Sequence, residues 1–80
     1  MDYFLGQIVC FPYDFAPKDW LLCNGQQLNI PQNTALFSLI SNKFGGNGTT
    51  TFCIPNLQGA EPWPGTGYYI CINGIYPARD

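Results

Sequence analysis

Histidine is absent from the 80 residues, and only eight side chains carry charge: Asp2, Asp14, Lys18, Asp19, Lys43, Glu61, Arg79 and Asp80. Lack of imidazole excludes a Ser/His or Cys/His nucleophile pair, the ordinary proton shuttle near neutral pH, and the commonest nitrogen ligand for a metal. The charged fraction is 10%, against roughly 25% for an ordinary soluble domain. A net charge of -2 leaves no basic face to neutralise phosphates, so neither nucleic acid nor an anionic membrane surface is an expected partner. No run approaches the roughly 18 apolar residues of a membrane span, and Met1-Asp2-Tyr3 lacks the basic flank and apolar stretch of a signal peptide; membrane insertion is not expected. The carboxylates are scattered. Only Asp14 and Asp19 share one segment, a turn in which solvated acids are the ordinary case, so paired-carboxylate glycosidase chemistry is not expected either. The chain reads as a non-enzyme without a cofactor.

The four cysteines, Cys10, Cys23, Cys53 and Cys71, form no CxxC pair, which removes the spacing that supports a zinc ribbon or a redox motif. They are candidates either for free, half-buried thiols or for two disulfides, with three connectivities open. Strand alternation sets Cys10 on the face of Ile8 and sets Cys71 opposite Ile70 and Ile72. With those isoleucines in the core, Cys71 is expected to face outward or towards a neighbouring chain.

Against these absences stand an apolar fraction of 46%, an aromatic fraction of 16%, nine glycines and seven prolines. The mixture suits one small, turn-rich α+β domain, mostly β, with short strands, hairpins and a single helix. A chain this short buries only about 60 to 65% of its unfolded surface. With so few charges to keep the remainder soluble, part of the apolar surface is expected to lie against other chains.

Strand signals cover Gly6 to Phe11 and Trp20 to Cys23. Asn24-Gly25 is a type I′ turn signal, and with Gln26 to Ile30 it predicts a hairpin centred on that turn, with Trp20 in the core. Pro31 to Thr34 offers a helix start, and Ala35, Leu36, Leu39 and Ile40 form an apolar stripe at helical spacing, predicting about three turns over residues 32–42. The glycines of Phe44-Gly45-Gly46-Asn47-Gly48 are expected to stop that helix. This run is no phosphate cradle, because it follows a helix and lacks the terminal Lys-Ser/Thr. A short strand is expected from Thr49 towards Pro55, and another over Tyr68 to Asn73, with residues 74–79 as an extended tail. Between them, Gly59 to Gly67 reads as a loop carrying an exposed Trp63 between two prolines. Trp63, Tyr13 and Tyr76 are the candidate partner or ligand contacts, since aromatics on stiffened loops bind at low entropic cost.

The string Phe15-Ala16-Pro17-x-x-Trp20-x-x-Cys23-x-Gly25-x-x-Leu28, then Asn33 to Ile40, then Gly45-Gly46-Asn47-Gly48-x-Thr50-Thr51-Phe52-x-Ile54-Pro55-Asn56-Leu57-x-Gly59, resembles the phage tail collar domain, which also begins the bacterial microcystin-dependent proteins. The resemblance covers Gly6 to about Ala60. It resumes at Ile70-Cys71-Ile72-Asn73-Gly74-Ile75-Tyr76-Pro77-Ala78-Arg79, which is similar to the family's closing segment. The domain is thus read as one unit, with a collar motif region at 6–60, a shortened loop at 61–69 and a C-terminal strand and tail at 70–80. The family's long insert is reduced to that loop, and Gln58 and Ala60 replace the arginines of its Leu-Arg-Gly-Arg string.

What the resemblance implies is a virion structural protein of a phage tail, a fibre, collar or baseplate/tip subunit, acting in assembly and in host attachment. It implies a homo-oligomer, with a trimer favoured, and other tail proteins as partners. Two alternatives are a compact adhesin or lectin-like module recognising a host surface glycan, and a secreted bacterial surface or filament subunit of the microcystin-dependent type.

Overall fold

The computed structural model describes residues 3–78. Six elements follow one another: β1 (Ile8–Phe11), β2 (Trp20–Leu22), β3 (Gln27–Asn29), α1 (Thr34–Ile40), β4 (Thr51–Cys53) and β5 (Gly67–Cys71). They form the small, mostly β, α+β domain expected from the sequence. β1, β5 and β2 make a three-stranded antiparallel sheet in that order, and β3 pairs with β4 in a second, two-stranded sheet. The last strand is therefore the central one. Ile8 pairs with Ile70 on one flank of β5, while Leu21 pairs with the same Ile70 on the other.

The expected Trp20–Ile30 hairpin does not form. β2 and β3 belong to different sheets, and the chain between them runs on instead of reversing. Cys23 is the crossing point: its N–H donates to the Tyr68 carbonyl at 2.9 Å in the first sheet, and its carbonyl accepts from the Leu57 N–H at 2.8 Å in the second. Asn24 bridges Asn56, continuing the β3–β4 ladder. Gly25 has the positive φ of +80° that an Asn-Gly turn needs, but its N–H donates to the Pro55 carbonyl at 3.2 Å. The dipeptide steers an extended segment from one sheet to the next, because an isolated two-stranded hairpin is only marginally stable, whereas here β2 joins a three-stranded sheet.

The helix is also shorter than the stripe predicts, spanning seven residues. It ends at Ser41, whose φ of +54° leaves the helical region before the glycines are reached. At its other end Asn33 makes no side-chain cap; its amide donates to the Asn29 carbonyl at 2.9 Å. Leu36 is buried, Phe37, Leu39 and Ile40 are half-buried, and Ala35 is exposed. The glycine loop instead shapes the approach to β4. A Cβ on Gly46 would collide with the Phe52 backbone, and φ there is +89°. The Asn47 carboxamide oxygen accepts from the N–H groups of Thr49, Thr50 and Thr51 at 2.7, 2.8 and 3.1 Å, holding the turn shut.

Two cores result, one on each face of the three-stranded sheet. Leu5, Cys23, Leu36, Phe52, Ile54 and Ile70 form the larger, between the sheets and the helix. Trp20, Tyr69 and Cys71 form the smaller, joined by Tyr3, Val9, Phe11 and Leu22. Ile70 does enter the core and Ile72 packs beside it, yet Cys71 is 1% exposed. The expected outward thiol is buried because both faces of β5 are packed, Ile70 in the larger core and Cys71 in the smaller. The segment after β5 is not a free tail: Ile75 bridges Phe4, and its carbonyl accepts from the Leu5 N–H at 2.7 Å. Arg79 lies outside the described residues.

Candidate contact surface

In Phe11-Pro12-Tyr13-Asp14-Phe15 every second residue is aromatic, and in extended chain such residues share one side. Their rings stack in sequence. Phe11 and Tyr13 have centroids 5.3 Å apart with planes at 11°, and Tyr13 and Phe15 are 4.9 Å apart at 18°. From Phe11 the array continues inward: Phe11 meets Trp20 edge-on at 5.1 Å, and Trp20 meets Tyr3 edge-on at 5.0 Å. Quadrupole geometry favours both offset stacking and T-shaped contacts. The Tyr69 hydroxyl, 3.0 Å from the Tyr13 carbonyl, ties the array to the central strand. Burial, and then the nearby Asp14 and Tyr13, push that phenol above its ordinary value. The outer end of the array, Phe15, is 63% exposed.

Beside the array lies an open groove of about 570 Å³ lined by Tyr3, Phe11, Tyr13 and Trp20 and by Lys18, Asp19 and Asn73. Asp19 adopts φ +71°, a conformation in which an Asp side chain bears little penalty. Its carbonyl accepts from the Ile72 N–H at 2.9 Å and its carboxylate from the Asn73 amide at 3.3 Å. The carboxylate that lines the groove thus has a structural partner. Asp14 is exposed. No group of three carboxylates or thiols is close enough to hold a metal ion among the described residues.

The three aromatics singled out from the sequence do not share one site. Tyr13 lies in the array, stacked between Phe11 and Phe15, and lines the groove. Trp63 is 68% exposed on its own loop, where Thr66 Oγ1 donates to the Trp63 carbonyl at 2.7 Å. The Tyr76 hydroxyl sits 2.7 Å from Ser38 Oγ on α1. Phe11, at the end of the expected first strand, and Phe15, in the expected turn, were not among the candidate contacts; the alternating Phe-x-Tyr-x-Phe is the signal that marks them. The thiols of Cys10 and Cys53 are half-buried, those of Cys23 and Cys71 buried, and no two are bonded to each other. Burial pushes the Cys23 thiol up to about 11.

This is a two-sheet α+β domain that carries exposed aromatic rings on its surface. Its family is also clear from the sequence: the chain belongs to the Phage Tail Collar Domain family, whose model matches residues 6–62. The family expected from the motifs is the family found, and it is a family of structural tail domains, not of enzymes. Neither the curated proteins nor the solved structures contain a match to the chain. The matched segment stops short of β5, so the strand that both flanking strands need lies beyond it. No helix is long and apolar enough to cross a membrane among the described residues.

Proposed function

We propose that this collar-domain protein is a non-catalytic subunit of a phage tail, in the fibre, collar or baseplate/tip, and that it acts in assembly through apolar contact with other tail chains and further copies of itself. The observation that carries this is the set of large apolar side chains left on the surface. Phe4, Phe15, Phe44, Trp63, Ile75 and Tyr76 are each about half exposed or more, on a chain with eight charges. Large apolar surface on a small soluble chain marks an interaction site. Trp63→Ala in the phage, followed by electron microscopy of the particles, tests it. Particles that lack the subunit or are incomplete support the reading, and complete particles with unchanged subunit content and infectivity overturn it.

One observation favours a second reading, a compact adhesin or lectin-like module for a host surface glycan: the groove combines aromatic walls with the polar groups of Lys18, Asp19 and Asn73, the mixture that pyranose rings require. Complete particles that no longer adsorb to host cells after Asn73→Ala would move the assignment to this reading.

A further inference from the structure

β1 is an edge strand. Its one paired neighbour is β5, in the register Ile8 with Ile70, Val9 with Tyr69, Cys10 with Tyr68 and Phe11 with Gly67. The Cys71 N–H donates to the Gln7 carbonyl, which fixes the phase of the ladder. Val9 and Phe11 turn their N–H and C=O groups towards β5, Gln7 turns only its C=O there while its N–H donates to the Phe4 carbonyl at 3.1 Å, and Ile8 and Cys10 turn theirs away, because hydrogen-bonded and non-hydrogen-bonded positions alternate. Among the described residues, those outward groups of Ile8 and Cys10 have no backbone partner outside the sheet.

Edges of this kind are normally blunted by lysine, proline or a bulge. The one such device here is a bulge at Gly6-Gln7, where Gly6 (φ +84°) donates to the Cys71 carbonyl and Gln7 accepts from the Cys71 N–H; it precedes Ile8 and leaves the outward groups of Ile8 and Cys10 open. Residues 3–13 contain no charged side chain, and Pro12 comes only after the strand ends. Ile8 is 42% exposed. The absence of charge matters for the choice of partner, since like charges meeting across a two-fold axis are what ordinarily prevent a strand from pairing with its own copy.

We propose that β1 pairs antiparallel with β1 of a second copy of this chain, about a two-fold axis at Val9. Three registers are available to a self-paired strand that uses the outward groups of Ile8 and Cys10. Placing Cys10 against Cys10 sets Ile8 opposite Pro12, which has no N–H to give. Setting Ile8 against Ile8 puts Cys10 opposite Gly6, whose N–H already donates to the Cys71 carbonyl. Only Ile8 against Cys10 satisfies all the outward donors and acceptors of both strands, with Val9 facing Val9 as the non-hydrogen-bonded pair. The result is a continuous six-stranded sheet in the order β2-β5-β1-β1-β5-β2. A contact of this type closes at two copies, so within a threefold assembly it joins one ring to another instead of forming the ring. It does not depend on the tail reading, and the two fail separately: particle assembly tests one, and the solution register the other.

The test uses two substitutions on the full chain. Ile8→Pro removes an outward N–H while leaving every bond to β5 in place, because proline is tolerated where the donor faces away from the ladder. Val9→Cys places two thiols across the axis at a pair whose Cα atoms lie about 4.5 Å apart, a spacing a disulfide spans. Light scattering should show an even-numbered assembly for the unaltered chain. I8P should weaken it about tenfold or more, with circular dichroism unchanged, and oxidised V9C should give a 9–9 cross-link on peptide mapping. A monomer or a trimer alone in the unaltered chain, an assembly unaffected by a folded I8P, or no 9–9 cross-link each overturns the proposal. If I8P fails to fold, the V9C cross-link decides the question.

Discussion

Cys23 joins the two sheets through both of its backbone groups, and its thiol, enclosed by the larger core, is pushed up from 9.0 to about 11 by burial. The folded state therefore holds this proton more tightly than the unfolded chain does. Stability from this source is fully present below about pH 9 and is lost as pH rises through about 11, which a series of thermal melts across that window should show. At pH 8, alkylation followed by mass spectrometry should find Cys23 labelled about a hundredfold more slowly in the native protein than in the unfolded chain, from its smaller thiolate fraction alone. Asn47 answers to a different rule. Its carboxamide serves three N–H groups in an exposed loop, so Asn47→Ala should cost about 1–2 kcal/mol in denaturant unfolding, the range of a lost helix cap. Burial of single residues was legible in the sequence where one period governed it, as at Leu36. It was not legible at Cys71, because alternation tells which residues share a face and not whether both faces are covered.

β5 supplies the ladder partner for both β1 and β2. A chain cut after Ala60 keeps most of the family-matched segment and loses that strand, and amide NMR should show it without dispersed β signals. Ile70→Ala, at the residue paired on both flanks, should cost about 3 kcal/mol. Strand positions were legible from short β-branched and aromatic runs bounded by Gly and Pro, and each expected strand exists within a few residues. Partners were not. Asn24-Gly25 has the chemistry of a hairpin turn and the φ to match, but Gly25 donates to Pro55, a residue far along the chain, and that bond draws the segment into a different sheet. Local propensity cannot report a pairing decided by a strand that arrives much later.

Two small cores on opposite faces of one sheet, and eight charges on the whole chain, make stability a matter of buried area. Thermal unfolding should change little between low and high salt, since few ion pairs exist to screen. If copies associate, the melting temperature should rise with protein concentration, as mass action requires. The scarcity of charge leads one to expect a surface for contact, and the family match supplies the tail setting; where the exposed rings and the open strand edge lie depends on strand order, which composition does not carry. Strand order also governs synthesis. As the polypeptide leaves the ribosome, β1 and β2 emerge first and must remain unpaired until Gly67 to Cys71 has followed them out of the tunnel. Pairings between such distant parts of the chain form slowly, and in that interval the uncharged stretch around β1 is open to whatever neighbouring nascent chain is being made beside it. On a polysome, the neighbour most often at hand is another copy of itself.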